Sequence, residues 1–479
     1  MNLNKEQYRA AVHVNGPMLV LAGPGSGKTH LLVERIRMMI EDAHIRPESI
    51  LVITFSRKAA RQMQARFCKR VEEKVYPVTF GTFHAVFYHI LQEYDPNTNR
   101  LINEEEQKAC LVRAIESCAP LSDIFYSEDC YDMILGLISS YKNLGYEEFI
   151  RSPRAGSLTI RETEEFMKIY ETYDSIVRKE DLIDFDDMII RCRDILYRHE
   201  GFLQKWRARF RYFLVDEFQD INRPQYDVLR LLAGDEMNVF AVGDDDQSIY
   251  AFRGSRPELM ELFLKQYRGC RKTVLSMNYR CSGNIIGAAD TLIRHNRSRM
   301  DRPMQHPAAS DNRGIVEIIN TESTDVQAAF VCDMIERLRT EDGYRLKDIA
   351  VLYRSDHCAK LFVKMAKSRG IAIGRNKENT EKKAPDMLNV MTAHASKGLE
   401  FACVFIIGLQ EGLFPHHKNL SGIGAEEERR LMYVAMTRAR QRLYMITVST
   451  GHGKRPSRFA ADASEDLRYI SDRLWVRRV

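Results

Sequence analysis

The chain has 479 residues, of which 44% are hydrophobic and 29% are charged. These proportions are those of ordinary folded proteins, so they exclude a disordered chain, and the length predicts about three domains. With 71 basic and 66 acidic side chains, the net charge of +5 permits a nucleic-acid partner without requiring one.

The ten cysteines are dispersed, and no two of them form a C-x-x-C pair. This spacing argues against a zinc ribbon or a thioredoxin-like site and is typical of reduced thiols in a cytosolic protein. The first ten residues lack the basic and apolar segments of a secretory signal, and apolar stretches such as residues 402–407 are far shorter than the ~20 residues of a membrane span. We therefore expect a soluble, cytoplasmic protein without a membrane partner.

Along the chain, short β-rich runs alternate with segments of helical periodicity, which predicts an α/β fold with parallel sheets. The strands predicted for a first series lie at residues 18–21, 50–55, 212–215 and 239–242. A second series is predicted from about residue 273, with strands at residues 273–277, 316–319, 349–353, 389–392, 404–407 and 443–448. Residues 91–205, which are charged and helical in pattern, are typical of an insertion between two parts of one α/β domain.

These patterns predict a division of the chain into three folded parts. The first α/β domain would comprise residues 1–90 and 206–272, with the helical insertion at 91–205. The second α/β domain would comprise residues 273–373 and 388–460. Residues 374–387 read as a short exposed connection and residues 461–479 as a C-terminal tail.

A glycine-rich segment, AGPGSGKT at residues 22–29, stands between a predicted strand and a predicted helix, which is the setting of a phosphate-binding loop. Backbone N–H groups and the helix N-terminus favour phosphates there. Lys28 would reach the β- and γ-phosphates, and the Thr29 hydroxyl would ligate Mg²⁺. The segment therefore predicts a site for ATP and Mg²⁺ formed by Ala22, Gly23, Pro24, Gly25, Ser26, Gly27, Lys28 and Thr29.

A second apolar run, residues 213–215, ends in Asp216 and Glu217. Alone, an Asp-Glu pair after an apolar run is usually only the end of a strand. Together with the phosphate-binding loop it favours a hydrolytic site, in which Asp216 holds Mg²⁺ and Glu217 orients or deprotonates the attacking water.

Two further segments are VDEFQD (215–220), which contains the acidic pair, and VGDDDQSIYAFRG (242–254). They resemble the second and third motifs of the UvrD/Rep/PcrA family of superfamily 1 DNA helicases, and the resemblance extends over most of the chain. The other family motifs are matched in order by the Q motif around Gln7, ITFSRKAA (53–60), GTFH (81–84), DFDDMI (184–189), NYR (278–280), TAHASKGLEF (392–401) and EEERRLMYVAMTRAR (426–440).

The resemblance implies two RecA-like P-loop domains with parallel sheets and a helical insertion subdomain in the first. It also implies ATP-dependent 3′→5′ translocation and unwinding of DNA, with ATP hydrolysed at the cleft between the two domains. The nucleotide-site residues that it adds to the loop and to Glu217 are Gln7, His30, Gln247, Tyr279, Arg280, Glu400 and Arg438.

Each of these residues carries an implied role. Gln7 reads the adenine edge and Tyr279 stacks on the base, while Gln247 senses the γ-phosphate. Arg280 and Arg438 reach the γ-phosphate from the second domain, and Glu400 contacts nucleotide or DNA near the cleft. His30 departs from the pattern, because many members carry an arginine there that assists nucleotide contact.

Single-stranded DNA is expected to lie on aromatic platforms beside a basic groove. The candidate contacts taken from the family motifs are Phe55, Arg57, His84, Phe185, Tyr250, Phe252, Arg253 and His394. A lone aromatic residue more often packs in a core, but Tyr250 and Phe252 follow Gln247 directly, and Phe252 stands where most members carry tryptophan. Arg57 fits a phosphate contact and an ordinary charged helix face equally well.

Family members usually carry a fourth subdomain, called 2B, inserted before the motif at residues 392–401. The ~13 residues available here cannot form a domain, so we expect a minimal motor that retains DNA-stimulated ATP hydrolysis and translocation. The expected partners are single-stranded DNA and junctions between single- and double-stranded DNA. Two alternatives stay open: a motor subunit whose protein partner replaces the 2B function, and a motor that acts on RNA.

Overall fold

The computed structural model describes most of the chain. The described residues are 3–72, 74–96, 100–126, 130–152, 155–251, 254–267, 269–300, 314–374, 386–449, 455–465 and 475–478. They form two compact units. The first consists of Met1–Leu21, Lys28–Gly243 and Tyr250–Thr273, and the second consists of Ala22–Gly27, Asp244–Ile249 and Val274–Val479.

The first unit is built on a six-stranded sheet that consists of β1 (Met18–Ala22), β2 (Ile50–Thr54), β3 (Thr79–Thr82), β6 (Tyr212–Val215), β7 (Val239–Gly243) and β8 (Arg271–Leu275). The order of the strands across the sheet is β3-β2-β6-β7-β1-β8. Parallel pairs join β3 to β2, β2 to β6, β6 to β7 and β7 to β1. Strands β1, β2, β6 and β7 are buried along their whole length, as expected of apolar runs covered on both faces.

Parallel pairing decides where the polar residues of this unit lie. Met18 pairs with Phe240, and Ile50 pairs with Tyr212, so the strands run in register toward one edge of the sheet. The segments that follow β2 and β6, which carry Phe55 and Asp216, therefore lie at this carboxyl edge, where α/β proteins place their ligands.

The helices of the first unit fall into two groups. Those of the α/β part are α1 (Lys5–Ala11), α2 (Lys28–Glu41), α3 (Arg57–Arg70), α4 (Phe83–Tyr94), α9 (Phe185–Arg198), α10 (Glu200–Arg209), α11 (Arg223–Ala233) and α12 (Glu258–Gln266). Between α4 and α9 lie α5 (Glu104–Cys118), α6 (Cys130–Leu144), α7 (Tyr146–Ile150) and α8 (Ile160–Lys179), with a two-stranded ladder of β4 (Arg100–Leu101) and β5 (Leu182–Ile183).

The helical segment between β4 and β5 has a hydrophobic core of its own. Phe125, Phe149, Phe166 and Tyr173 are fully buried within it. Asn103 and Thr159 begin α5 and α8 with reciprocal capping boxes to Glu106 and Glu162, which satisfy orphan N–H groups at both helix starts.

The second unit contains a seven-stranded sheet that consists of β9 (Ile315–Thr321), β10 (Ile349–Tyr353), β11 (Ile373–Gly374), β12 (Leu388–Thr392), β13 (Phe401–Leu409), β14 (Ala439–Val448) and β15 (Trp475–Arg478). All of its strand pairs are parallel, and the order across the sheet is β11-β12-β10-β13-β14-β9-β15. The helices are α13 (Gly283–Ile293), α14 (Thr324–Thr340), α15 (Asp356–Ser368), α16 (Gly422–Met436) and α17 (Arg458–Asp462). All nine residues of β13 are buried, and Phe405 stacks on Tyr444 of β14 at 4.7 Å.

The predicted α/β class with parallel sheets is confirmed, but one strand was assigned to the wrong sheet. The sequence predicts a strand at residues 273–277 as the start of the second series. It lies at Arg271–Leu275 and is the edge strand of the first sheet, beside β1. The backbone N–H of Arg271 donates to the carbonyl of Pro17 at 3.0 Å. Sheet membership depends on such long-range pairing, which the local pattern does not contain.

Five of the described strands were not predicted, namely β3, β4, β5, β11 and β15. Strands β3, β4, β5 and β11 are short, with two to four residues each, and too brief to show an alternating pattern. The segment predicted as a C-terminal tail contains α17 in part and all of β15, which pairs in parallel with β9. Most of the predicted connection, residues 375–385, lies outside the described residues.

Two further observations concern the whole chain. Among the described residues, none of the helices has the length and apolar character needed to span a bilayer. All ten cysteines are free thiols, and Cys68 on α3 is the exposed one, whereas the others are buried or half-buried.

Candidate functional site

Lys28, Asp216 and Glu217 lie together in the first unit. Lys28 opens α2, and its Nζ lies 3.8 Å from Oε2 of Glu217. This Nζ is buried, and no described residue accepts a hydrogen bond from it. A buried ammonium is costly without such partners, so the arrangement suits an anionic ligand.

The carboxylate pair is held in a defined geometry at the end of β6. Glu217 has a positive φ of 54°, which is uncommon for a residue with a side chain. Its N–H donates to Oδ1 of Asp216 at 3.0 Å, and Gln219 donates to its Oε2 at 2.5 Å. The buried side chain of Gln219 therefore orients Glu217, a role that the motif alone does not predict.

The electrostatics of this pair fit a divalent cation. Burial and the adjacent carboxylate of Glu217 raise the pKa of Asp216 to about 7, while Lys28 opposes this rise. Oxygen ligands and excess negative charge are what Mg²⁺ requires. Thr29 follows Lys28 in the first turn of α2. The residues present therefore fit ATP with Mg²⁺.

The helix N-terminus at Lys28 is also suitable for phosphates. Helix α2 has 14 residues and no acidic residue in its first turn, so its partial positive charge is not neutralised locally. Gly27 before it has a φ of 83°, a conformation that other residues rarely adopt. His30, the predicted departure from the family, is half-buried in this first turn, and no described residue forms a hydrogen bond with its buried Nε2.

Gln7, predicted to read adenine, is buried in α1, where it completes a helix cap. Its N–H donates to Asn4 Oδ1 at 2.8 Å, and its Oε1 accepts the N–H of Asn4 at 3.0 Å. The Asn-x-x-Gln spacing is thus a capping box. Its presence neither requires nor prevents an adenine contact, which stays a prediction.

The residues after β8 contact the phosphate-binding loop within the second unit. Asn278 donates from Nδ2 to the carbonyl of Pro24 at 2.5 Å, and Tyr279 N–H donates to the carbonyl of Gly25 at 2.8 Å. A Cβ atom on Gly25 would lie 2.5 Å from Cβ of Arg280. Glycine is therefore required at 25 by close approach as well as by its φ of 67°. The motif gave no role to Asn278.

The predicted residues Tyr279, Arg280 and Glu400 lie close to one another. Nε of Arg280 donates to Oε2 of Glu400 at 2.7 Å, and Arg440 approaches the other oxygen of Glu400 at 3.7 Å. Tyr279 is 55% exposed.

Arg438 and Gln247 also meet in the second unit. Arg438 is almost fully buried and donates to the carbonyls of Val434 and Leu399 at 3.0 and 3.1 Å. Its Nη2 donates to Oε1 of Gln247 at 3.3 Å. The carbonyl of Gln247 accepts a bond from Lys397 Nζ at 2.8 Å, a contact that the sequence did not predict. A buried guanidinium with these partners is not an ordinary surface charge.

The predicted DNA-contact residues form two aromatic pairs in the first unit. Phe55 and Tyr250 stack with ring centroids 4.8 Å apart and planes inclined by 11°. His84 and Phe185 meet edge to face at 5.2 Å. Phe55 and Phe185 are 38% and 49% exposed, which is unusual for core aromatics. The sequence did not predict either pairing.

The remaining DNA candidates are placed as follows. Arg57 is exposed at the first position of α3, and His394 is half-buried after β12 in the second unit. Phe252 and Arg253 lie outside the described residues.

Comparison with known proteins identifies two family profiles along the chain. Residues 3–268 match the UvrD/REP helicase N-terminal domain. Residues 273–374 and 370–450 match the UvrD-like helicase C-terminal domain in two segments that meet at residues 370–374.

Individual relatives show how far the similarity extends. The putative ATP-dependent DNA helicase YjcD of Bacillus subtilis is 28% identical over 620 residues, covering 96% of this chain and 80% of the relative. A probable DNA helicase of Mycoplasma pneumoniae is 29% identical, covering 94% of this chain and 84% of its own length. DNA helicase II of Escherichia coli is 32% identical over 74% of this chain, which spans about half (48%) of that relative.

Proposed function

We propose that this chain, which belongs to the UvrD/Rep helicase family, moves 3′→5′ along single-stranded DNA and unwinds duplex DNA. It would do so as a DNA-stimulated ATPase. The observation that carries the proposal is the buried Nζ of Lys28 beside Asp216 and Glu217. This arrangement calls for a phosphate and a divalent cation, and it stands at the edge of the same sheet as the exposed aromatic pairs.

Within the first unit, the chain's own residues supply the parts of a phosphoryl-transfer site. Lys28 and the start of α2 would bind the phosphates, while Asp216 and Thr29 would hold Mg²⁺, which neutralises charge on the phosphates when bound. Glu217, fixed by Gln219, would take a proton from the attacking water. Positioning and charge stabilisation account for most of the catalysis of this reaction.

The proposed role of the second unit is to sense the γ-phosphate. Arg438 and Gln247 are supported as a functional pair by their direct hydrogen bond. Arg280 is supported by its place between Tyr279 and Glu400, because Glu400 holds its guanidinium while Tyr279 offers an exposed ring for the base. We propose that these groups act on ATP bound between the two α/β domains and so link hydrolysis to stepping.

The DNA strand is proposed to run over the two aromatic pairs of the first unit. Stacking on Phe55, Tyr250, His84 and Phe185 would be tolerant of sequence, because every base offers a π-face. The exposed Arg57 would contact phosphates. We also propose that the protein acts in the cytoplasm, where its proposed substrates ATP and DNA would be present together.

Absence of the 2B subdomain is also part of the proposal. It is supported by the two segments of the C-terminal profile, which meet at residues 370–374, and by the 620-residue alignment with YjcD, which exceeds the 479 residues of this chain. We therefore propose strong translocation and weak unwinding by the isolated chain. The second candidate, a motor subunit whose protein partner restores duplex handling, follows from the same observation.

The decisive experiment is ATP hydrolysis measured with and without oligonucleotides. Single-stranded DNA should stimulate the rate strongly, and RNA of matching sequence should stimulate it much less. Absence of stimulation by any DNA would overturn the proposal. Stronger stimulation by RNA than by DNA would indicate a motor that moves along RNA. Displacement of a streptavidin block from the 5′ or the 3′ end of the DNA then tests the direction, since a 3′→5′ motor clears the 5′ end.

A further inference from the structure

A buried lysine joins the helical insertion to the helix that carries Phe185. Lys142, in the last turn of α6, has a side chain only 2% exposed. Its Nζ lies 2.7 Å from Oδ2 of Asp184 and 2.8 Å from Oδ2 of Asp187. Although burial favours the neutral amine, these two carboxylates raise the pKa of Lys142, so it stays charged. Lysine is seldom buried so completely, which indicates a specific structural role.

The two carboxylates belong to the first turn of α9. Asp184 is its N-cap and accepts the N–H of Asp187 at 2.8 Å with Oδ1, leaving Oδ2 for Lys142. Phe185, the first residue of α9, stands between the two carboxylates in sequence, with its side chain half exposed against His84. The ion pairs therefore fix the helix end from which the Phe185 ring projects.

Asn143 extends this junction to the segment that follows Tyr250. Its Nδ2 donates to Oδ1 of Asp186 at 2.8 Å and to the carbonyl of Ser139 at the same distance. Asn143 also lies near Gly254, since a Cβ atom added to this glycine would lie 3.5 Å from both Cβ and Cγ of Asn143. Gly254 has a φ of 80° and lies four residues beyond Tyr250, the partner of Phe55.

We propose that Lys142 and Asn143 are positioning residues that hold the two aromatic pairs in place for single-stranded DNA. The inference rests on the proposed function, since it concerns how the same strand is held. The motifs of the sequence analysis did not include either residue. Both residues belong to the helical insertion. The insertion would therefore contribute to DNA binding through buried contacts that orient the aromatic residues.

The test is a titration of ATP hydrolysis with oligo(dT) for the full-length chain and its Asn143→Ala variant. The DNA concentration for half-maximal stimulation should rise about tenfold, within the range of one lost base stack. The rate without DNA and the rate at saturating DNA should stay unchanged. A fall of the saturated rate with an unchanged half-maximal concentration would overturn the proposal.

A double variant separates positioning from general loosening. If Asn143 acts through Phe185, the change Asn143→Ala should add little to Phe185→Ala, because the two losses are not additive when one acts through the other. Full additivity would contradict the proposal. Lys142→Arg keeps the positive charge but changes the geometry of its ion pairs. It should raise the oligo(dT) concentration for half-maximal stimulation to a similar extent, and it replaces Asn143→Ala in the test if that variant does not fold.

Glu165→Gln is the matched control. Glu165 is a buried carboxylate of the same insertion, but its hydrogen bonds go to Ser122 and Arg161, far in sequence from any candidate DNA residue. It should lower stability and leave the oligo(dT) titration unchanged, and a tenfold shift in this control would overturn the proposal. Failure of oligo(dT) to stimulate the wild-type chain would instead refute the proposed function itself.

Discussion

At the scale of single residues, the motifs predict which side chains form the site but not the contacts that orient them. The sequence predicts that Lys28, Asp216 and Glu217 act together, because a glycine-rich loop combined with an acidic strand end is typical of nucleotide hydrolysis, and the structure brings these three side chains close to one another. The roles of Gln219 and Asn278 could not be predicted, since each depends on a hydrogen bond whose geometry only the folded chain sets. The need for glycine at position 25 was also only partly predictable. A Cβ atom there would collide with Arg280, and this close approach adds to the requirement of the positive φ angle.

We predict that Glu217→Gln separates nucleotide binding from hydrolysis. The amide keeps the size of the side chain but cannot accept a proton from water, so the DNA-stimulated rate should fall by about 10²–10⁴-fold. Binding of a fluorescent ATP analogue should persist. The control is Glu236→Gln, whose carboxylate pairs with Arg211 at the exposed surface. Retention of more than about a tenth of the rate in Glu217→Gln would argue against this role.

At the scale of elements, the strongly periodic strands and the helical insertion were predictable, because their patterns are local. The sheet to which β8 belongs was not, and neither was the link between α6 and α9, which joins residues about forty positions apart. Arg35 of α2 is a similar case. Its sequence position suggests an ordinary helix residue, yet it is buried and donates to the carbonyls of Ala11 and His13 at the end of α1.

We predict that Arg35→Met destabilises the first unit. The change leaves several buried carbonyls at the end of α1 without a donor and removes the contact of the guanidinium with Phe240. The expected loss is about 3 kcal/mol in the free energy of unfolding, measured by urea denaturation. Arg37→Met on the same helix removes ion pairs of a partly exposed guanidinium with Glu34 and Glu41, and Arg70 still pairs with Glu34, so stability should change by less than about 1 kcal/mol. Equal losses would contradict the assignment.

Acid should weaken the helical insertion through Glu165. Hydrogen bonds from Ser122, followed by the contribution of Arg161, lower the pKa of Glu165 to about 2 from the usual 4.5. Because the pKa is lowered on folding, the stabilisation is present above pH 4.5 and is lost as the pH falls toward 2. The thermal midpoint of Glu165→Gln should therefore lie below that of the wild type at pH 7, and the difference should narrow as the pH falls below 4.5 and close only near pH 2. A difference in thermal midpoint that does not depend on pH would show that the ionised Glu165 carboxylate is not the cause of the stabilisation.

At the scale of the whole molecule, the α/β class was predictable because two series of strands and helices repeat along the chain. The split into two compact units follows contacts between distant segments, and residues 22–27 and 244–249 group with the second unit although their neighbours in sequence group with the first. No local pattern contains that information.

We predict that binding to single-stranded DNA depends steeply on salt and weakly on sequence. Each phosphate contact releases counterions, with a slope of roughly −0.7 per contact in a plot of log affinity against log salt. Arg57→Ala should reduce this slope by about one contact and weaken binding to oligo(dT) and mixed sequences alike. Fluorescence anisotropy between about 50 and 200 mM salt measures both effects. Strong sequence preference or a flat salt response would contradict the stacking mode of binding.

The thiols of the chain offer a practical consequence. Burial raises the pKa of the thiols of Cys270, Cys281 and Cys332 to about 11, so they should react slowly near neutral pH. Cys68 is exposed on α3, the helix that begins at Arg57 beside the Phe55 platform. A maleimide dye should therefore attach first at Cys68. The chain could thus be labelled on a helix next to the proposed DNA-binding residues without any substitution, which would allow stepping to be observed on single molecules.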